Sequence, residues 1–163
     1  MVHKMPKKQK VRHVVVMGIG NALMQDDGVG IHAIQKLQET GPFPDNIKLE
    51  IIDCGTVPDI YIFLDSQVDK LIIVDAVQAH GKPGAIYRLT PDVLESEKKD
   101  IVSAHDLNLR ESMAMMRLLG IFPEDMIIIG VEPGNIGLGT NLTPQVESKL
   151  EELVSILRRE VAF

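Results

Sequence analysis

Short apolar runs alternate along the chain with stretches in which apolar residues recur every three or four positions, a pattern typical of alternating strands and helices. Apolar runs predict strands at 14–17, 47–52, 71–74, 85–89 and 126–131. Helical spacing predicts three helices, with apolar stripes at Val29, Ala33 and Leu37, at Leu109, Met113 and Met116, and at Val146, Leu150, Leu153 and Leu157. This alternation favours an α/β fold built on a parallel sheet.

Polar residues and glycines mark the ends of these elements. The run at 71–74 is apolar throughout and is expected at the centre of the sheet, whereas the more polar run at 85–89 is expected at an edge. Thr56, Asp106 and Thr143 are each expected to cap a helix, and Pro144 suits the first position of the last one. The stretch 132–142 contains three glycines and is expected to be a long loop at the rim of a site.

Composition predicts one globular domain, since the chain has 163 residues, of which 45% are hydrophobic and 25% charged. The net charge of -6 is unevenly distributed, because five of the 17 basic residues lie before His13. We therefore predict a flexible basic tail over residues 1–12, with His13 grouped beside it, and a single α/β domain over residues 13–163. The acidic domain argues against nucleic acid as the main partner.

Two further features indicate the compartment. No apolar run approaches the ~20 residues that a membrane helix needs, so no membrane partner is expected. The single cysteine, Cys54, excludes an intrachain disulfide and fits a reducing compartment. The expected location is the cytoplasm.

Ionisable residues follow two of the predicted strands and precede a helix. Asp26 and Asp27 come after the first strand, Asp75 directly after the third, and His105 just before a helix. Because the carboxyl ends of parallel strands share one edge of a sheet, these side chains are expected to converge. Two carboxylates and an imidazole suit a divalent transition metal with open coordination positions. The helix dipole is expected to keep the His105 imidazole neutral.

The glycines of the first loop leave a second function class open. Gly18 and Gly20 resemble the start of a dinucleotide-binding fingerprint, with Asp53 in place for a ribose, and would suit a Rossmann-like regulatory module. However, Leu23 stands where the third glycine should be, and the two aspartates nearby would repel a pyrophosphate. Asp53 is also explained as a turn former that bonds to its own backbone. The loop therefore favours a cation over a nucleotide.

A thiol hydrolase is a third functional hypothesis that the sequence allows. Cys54, His105 and Asp75 all lie near predicted strand or helix ends and would form a triad. A buried cysteine acting as a small apolar residue explains Cys54 better.

Five segments resemble the maturation endopeptidases of [NiFe] hydrogenases. They are GIGNALMQDDGVG from residue 18, DCGT from 53, LIIVDAV from 71, SAHDL from 103 and GLGTNLTPQVE from 137. The match runs in order over nearly the whole chain after His13. Relatives often carry glycine where this chain has Cys54 and glutamate where it has Asp27.

The resemblance implies a specific reaction and fold. Such enzymes remove a short C-terminal extension from the hydrogenase large-subunit precursor once nickel has been inserted, and no organic cofactor is implied. The metal-contacting and catalytic residues would be Asp27, Asp75 and His105, with the nickel carried by the substrate. The hydrolysis is either aspartic-type or metal-assisted. The implied fold is a three-layer, mostly parallel, mixed sheet between helices, similar to phosphorylase/hydrolase-like proteins.

Overall fold

The computed structural model describes residues 10–65, 67–96, 101–103 and 105–163, so most of the predicted basic tail lies outside the described residues. The strands are β1 (Arg12–Ile19), β2 (Ile47–Gly55), β3 (Lys70–Ala76), β4 (Ile86–Leu89) and β5 (Asp125–Val131). The α-helices are α1 (Val29–Gln38), α2 (Pro91–Glu95), α3 (Asp106–Leu118), α4 (Pro144–Glu147) and α5 (Leu150–Ala162). Two short 3-10 helices span Gln25–Gly28 and Ile60–Phe63.

The strands form one sheet in the order β2-β1-β3-β5-β4. Strands β2, β1, β3 and β5 are parallel, whereas β4 pairs antiparallel with β5. Every residue of β3 is buried, which confirms its predicted central position. The more polar β4 lies at an edge, also as predicted.

Alternate residues of the strands pack against helices on opposite faces of the sheet. In β1, Val14 and Val16 belong to the core that includes α1 and α5, whereas Val15 and Met17 belong to the core that includes α3. A strand that is apolar at every position is required here, because both of its faces are covered. The result is the three-layer, mixed α/β fold that the sequence predicts.

Several local predictions need correction. His13 is not part of the tail: it is 8% exposed within β1, and its Nε2 lies 2.9 Å from Glu50 Oε1. The helix expected after Thr56 is only a 3-10 turn that Asp59 precedes at the N-cap. Asp106 is the first residue of α3 rather than its cap, which is His105. The last predicted helix is broken between α4 and α5, so its apolar stripe belongs to two helices.

Among the described residues, no helix combines the length and the apolar character needed to cross a membrane.

Candidate active site

Asp75 is the centre of a buried polar cluster at the carboxyl edge of the sheet. It is the penultimate residue of β3 and is 1% exposed. Its Oδ1 accepts a hydrogen bond from the backbone N–H of Ala76 at 2.8 Å, and its Oδ2 accepts one from the Ser103 hydroxyl. A buried carboxylate needs such donors, because an unpaired charge away from water is strongly destabilising.

His105 is paired with Asp75 across the gap between β3 and the start of α3. Its Nδ1 lies 3.1 Å from Oδ1 and 3.3 Å from Oδ2 of Asp75. The backbone N–H of His105 donates to the Ser103 Oγ at 3.0 Å, so the serine bonds to both partners. With Nδ1 engaged, Nε2 is the ring nitrogen that the pair does not use.

Protonation of this pair differs from the sequence-based expectation. Burial raises the pKa of Asp75, although the hydrogen bonds from His105 and Ser103 oppose that effect. The hydrogen bond to Asp75 raises the pKa of His105 above its ordinary value despite burial. The prediction that the helix dipole keeps His105 neutral was therefore wrong in direction, because a carboxylate in contact outweighs a partial charge at a helix end.

Asp27 lies in the 3-10 helix that precedes α1 and is 6% exposed. Its Oδ2 accepts a hydrogen bond from the backbone N–H of Asn21 at 2.8 Å. The charge of Asp27 contributes to raising the pKa of both Asp75 and His105, so its carboxylate is within electrostatic range of the pair. In the part of the chain that the structure describes, no three His, Cys, Asp or Glu side chains are grouped closely enough to hold an ion unaided.

Asp26 has a different environment from its neighbour. It is fully buried and accepts hydrogen bonds from the N–H groups of Gly134 at 2.7 Å, Asn135 at 3.1 Å and Thr143 at 2.7 Å. The Thr143 hydroxyl donates to it as well, at 2.6 Å. Asp26 therefore anchors the 132–143 loop instead of facing the Asp75 pair.

Ser103 is a site residue that the sequence reasoning missed. It is 6% exposed and bonds to Asp75 and to the backbone of His105. The only local signal is its position two residues before His105, within the SAHDL segment.

The space beside Gly18 and Gly20 is occupied by the protein's own backbone. A Cβ on Gly20, whose φ is +136°, would lie 1.9 Å from the carbonyl oxygen of Asp27. A Cβ on Gly18 would lie 2.6 Å from the carbonyl oxygen of Gly30. These glycines permit close packing of the loop on the start of α1, which accounts for them without a bound pyrophosphate.

Cys54 and Asp53 have structural roles. Cys54 is 2% exposed, and burial raises the pKa of its thiol to about 12, so the thiolate needed for nucleophilic attack does not form near neutral pH. Asp53 Oδ1 accepts a hydrogen bond from the backbone N–H of Gly55 at 2.9 Å, which confirms the predicted turn.

Comparisons with known proteins identify the family. A family model described as hydrogenase maturation protease (HycI) matches residues 31–160. The hydrogenase 2 maturation protease of Escherichia coli (strain K12) is 30% identical over 139 residues, which cover 85% of this chain and 84% of that protein. The chain belongs to the hydrogenase maturation protease family.

Solved structures of this family share the fold. The hydrogenase maturating endopeptidase HybD from E. coli matches with a TM-score of 0.76 and 29% identity over 89% of each chain. The [NiFe] hydrogenase maturation protease HybD from Thermococcus kodakarensis also matches with a TM-score of 0.76, at 25% identity, covering 91% of this chain and 99% of that one. The resemblance that the sequence motifs indicated is confirmed, and the family is one of peptidases.

Proposed function

We propose that this chain is a cytoplasmic endopeptidase that removes the C-terminal extension of a [NiFe] hydrogenase large-subunit precursor after nickel has been inserted. The observation that carries the proposal is the buried Asp75–His105 pair at the carboxyl edge of the sheet, with Asp27 in electrostatic range. That edge is where open α/β sheets place their chemistry. Membership of the family supports the choice of a hydrogenase precursor as substrate.

The nickel ion is part of the substrate in this proposal, and Asp27, Asp75 and His105 supply its additional ligands. Carboxylate oxygens and an imidazole nitrogen are suitable donors for such an ion. Because Nδ1 of His105 is hydrogen-bonded to the Asp75 carboxylate, an ion that binds both side chains must replace this hydrogen bond.

Proton displacement makes the reaction conditional on a loaded substrate. Because the pKa of both Asp75 and His105 is raised, the pair retains a proton more readily than isolated side chains do. An ion must displace that proton in order to bind. A precursor without nickel offers nothing to displace it, so the pair keeps its proton and no ion is held against the scissile bond.

Hydrolysis then requires water to attack the scissile carbonyl carbon while the amide nitrogen leaves with a proton. The nickel polarises the carbonyl or the attacking water. Asp27 accepts the proton that the water loses, and that proton is passed to the departing amine. One product then ends in a free carboxylate, and the other begins with a free amine.

The test compares nickel-loaded and nickel-free precursor as substrates for the wild-type chain and for Asp27→Asn and His105→Ala. We expect cleavage of the loaded precursor only, and a loss of about a thousandfold or more in kcat/KM for either variant. Asp53→Asn is the matched control, because this aspartate bonds only to the turn at Gly55 in the described residues.

Two results would contradict the proposal separately. Equal cleavage of both precursor forms by the wild-type chain would remove the nickel requirement. Full activity of His105→Ala would remove the Asp75–His105 pair from the mechanism.

A further inference from the structure

Two exposed leucines lie side by side at the carboxyl edge of the sheet. Leu23 is 60% exposed and Leu138 is 89% exposed. The N–H of Gly139 donates to the carbonyl oxygen of Leu23 at 2.9 Å, and Met24 and Gly139 form a parallel bridge. These bonds place the backbones of Leu23 and Leu138 next to each other. We call these two exposed residues the leucine pair.

The backbone beneath the leucine pair is held firmly. The N–H of Gln25 donates to the carbonyl oxygen of Gly139 at 2.9 Å, and the N–H of Asp26 donates to that of Asn135 at 3.2 Å. Gln25 has a φ of +47°, an unusual backbone conformation for a residue that is not glycine. The Asp26 carboxylate adds its bonds to the same loop. The leucines are thus displayed to solvent by an ordered scaffold.

The leucine pair is continuous with the candidate active site. The N–H of Asn21 donates to Asp27 Oδ2 at 2.8 Å, and the N–H of Asp27 donates to the carbonyl oxygen of Met24 at 3.1 Å. These bonds close a loop over residues 21–27, and Leu23 lies within it. Leu23 therefore lies in the same short loop as Asp27, beside which the proposed function requires the scissile bond.

We propose that the leucine pair is a docking surface for an apolar segment of the precursor polypeptide next to the scissile bond. The inference rests on the proposed function, which requires a polypeptide at this edge. Exposed leucines beside a candidate peptidase site offer apolar contact to a bound polypeptide, and burying them on binding removes apolar surface from water. The side chains of the leucine pair are uncharged, so they favour an apolar segment of the precursor and do not bind the nickel.

The experiment measures kcat and KM of the full chain on nickel-loaded precursor for wild type and for the double variant Leu23→Ser/Leu138→Ser. We expect KM to rise about tenfold or more, with kcat within about twofold, since the lost contacts serve binding alone. A second variant, Leu23→Met/Leu138→Met, keeps the apolar surface and is expected to retain wild-type KM. The melting temperature of each variant confirms that it folds.

The matched control is Leu118→Ser. Leu118 is 79% exposed at the end of α3, which is the opposite end of that helix from His105. Its substitution is expected to leave both constants unchanged.

Four outcomes overturn the inference. An unchanged KM in the double serine variant, or an equal rise in Leu118→Ser, removes the leucine pair as a docking surface while the proposed function stands. Dissociation of a wild-type dimer by the double serine variant, with KM unchanged, assigns the surface to a second copy of this chain. If the wild-type chain cleaves no loaded precursor, the proposed function fails and this inference falls with it.

Discussion

Asp26 and Asp27 are adjacent, yet their carboxylates meet different surroundings. Asp26 accepts hydrogen bonds from the backbone of a loop more than a hundred residues away, at Gly134 and Thr143. Asp27 accepts one local backbone bond and influences the pKa of Asp75 and His105. Position in the sequence therefore does not distinguish the two carboxylates, whereas the number of hydrogen-bond donors around each one does.

Ser103 offers a direct test of how the Asp75–His105 pair is held. Ser103→Ala removes the hydroxyl that donates to Asp75 and accepts from the His105 N–H. We expect kcat on nickel-loaded precursor to fall about 10- to 100-fold, because such supporting bonds orient the groups that act. The hydroxyl lowers the pKa of Asp75, so its removal raises that pKa. The pH at which activity is half-maximal is therefore also expected to rise.

Ser148→Ala is the control for that substitution. The Ser148 hydroxyl donates only to the Gln145 carbonyl oxygen among the bonds described, on an exposed part of the chain. Unchanged activity and pH dependence in Ser103→Ala would exclude a positioning role for this serine.

Cys54 allows a test of the hypothesis that the protein is a thiol hydrolase. Cys54→Ala is expected to retain kcat, and the native protein is expected to resist alkylation by iodoacetamide at pH 7–8. The reason is that burial raises the pKa of this thiol to about 12, so the reactive thiolate is absent. Activity assays measure kcat, and mass spectrometry after iodoacetamide treatment measures the extent of alkylation. Loss of cleavage in Cys54→Ala with an unchanged melting temperature would contradict the structural assignment.

Among the loops and helices, the segment 132–143 depends on side-chain bonds more than on regular structure. Thr143 illustrates this, because its hydroxyl donates to Asp26 and makes no side-chain capping bond to α4. The prediction that Thr143 precedes a helix with Pro144 at its first position was confirmed. Its side chain is used to join two loops, which holds the rim of the candidate site against the 3-10 helix that carries Asp27.

Asp26→Ala tests this link between loops. The change leaves the N–H groups of Gly134, Asn135 and Thr143 without their buried acceptor, so we expect the free energy of unfolding to fall by about 3 kcal/mol. Urea denaturation measures it. Hydrogen exchange of the Gly134 and Thr143 amides is expected to speed up more than exchange within β3. A uniform increase across the sheet would instead indicate general loss of stability.

Across the whole molecule, α5 is joined to the sheet by an ionic network at the edge opposite the candidate site. Lys70, 2% exposed at the start of β3, lies 2.9 Å from Glu160 and 3.2 Å from Asp125. Arg88 of β4 lies 2.6 Å from the second carboxylate oxygen of Glu160. A buried ammonium group needs such partners, since its isolated charge is costly to bury.

Glu160→Gln is expected to destabilise the fold by about 1–2 kcal/mol at neutral pH. The hydrogen bond from Arg88 lowers the pKa of Glu160, and the bond from Lys70 adds to this effect. A lowered folded-state pKa stabilises the protein above the unfolded value of about 4.3. That contribution is lost as the pH falls through the folded-state pKa.

Thermal or urea unfolding of both proteins at several pH values checks this prediction. The difference between wild type and Glu160→Gln should be largest near pH 7 and should shrink below about pH 4. A difference that stays constant over this range would mean that packing, and not charge, links α5 to the sheet. Glu152→Gln is the control, because Glu152 is 55% exposed and pairs with Lys149 on the surface.

Sequence alone determined the strands, the principal helices and the sheet edge at which the candidate site lies. Apolar runs and helical spacing are local properties, and a strand such as β3 that is apolar at every position has only one stable place, inside the sheet. Parallel pairing then puts the residues that follow β1 and β3 on a common edge. For that reason Asp26, Asp27 and Asp75 are predicted at one edge together with His105, and the family resemblance then selects Asp27, Asp75 and His105.

Tertiary structure decided which groups meet within that edge. The bond between Asp26 and Thr143 joins positions 117 residues apart, and that between Ser103 and Asp75 joins positions 28 apart. Neither separation leaves a periodic trace in the sequence. The direction of the His105 pKa shift likewise depends on contact with Asp75, which outweighs the local helix end. Partners brought together by packing, and the charges they share, exist only once the chain has folded.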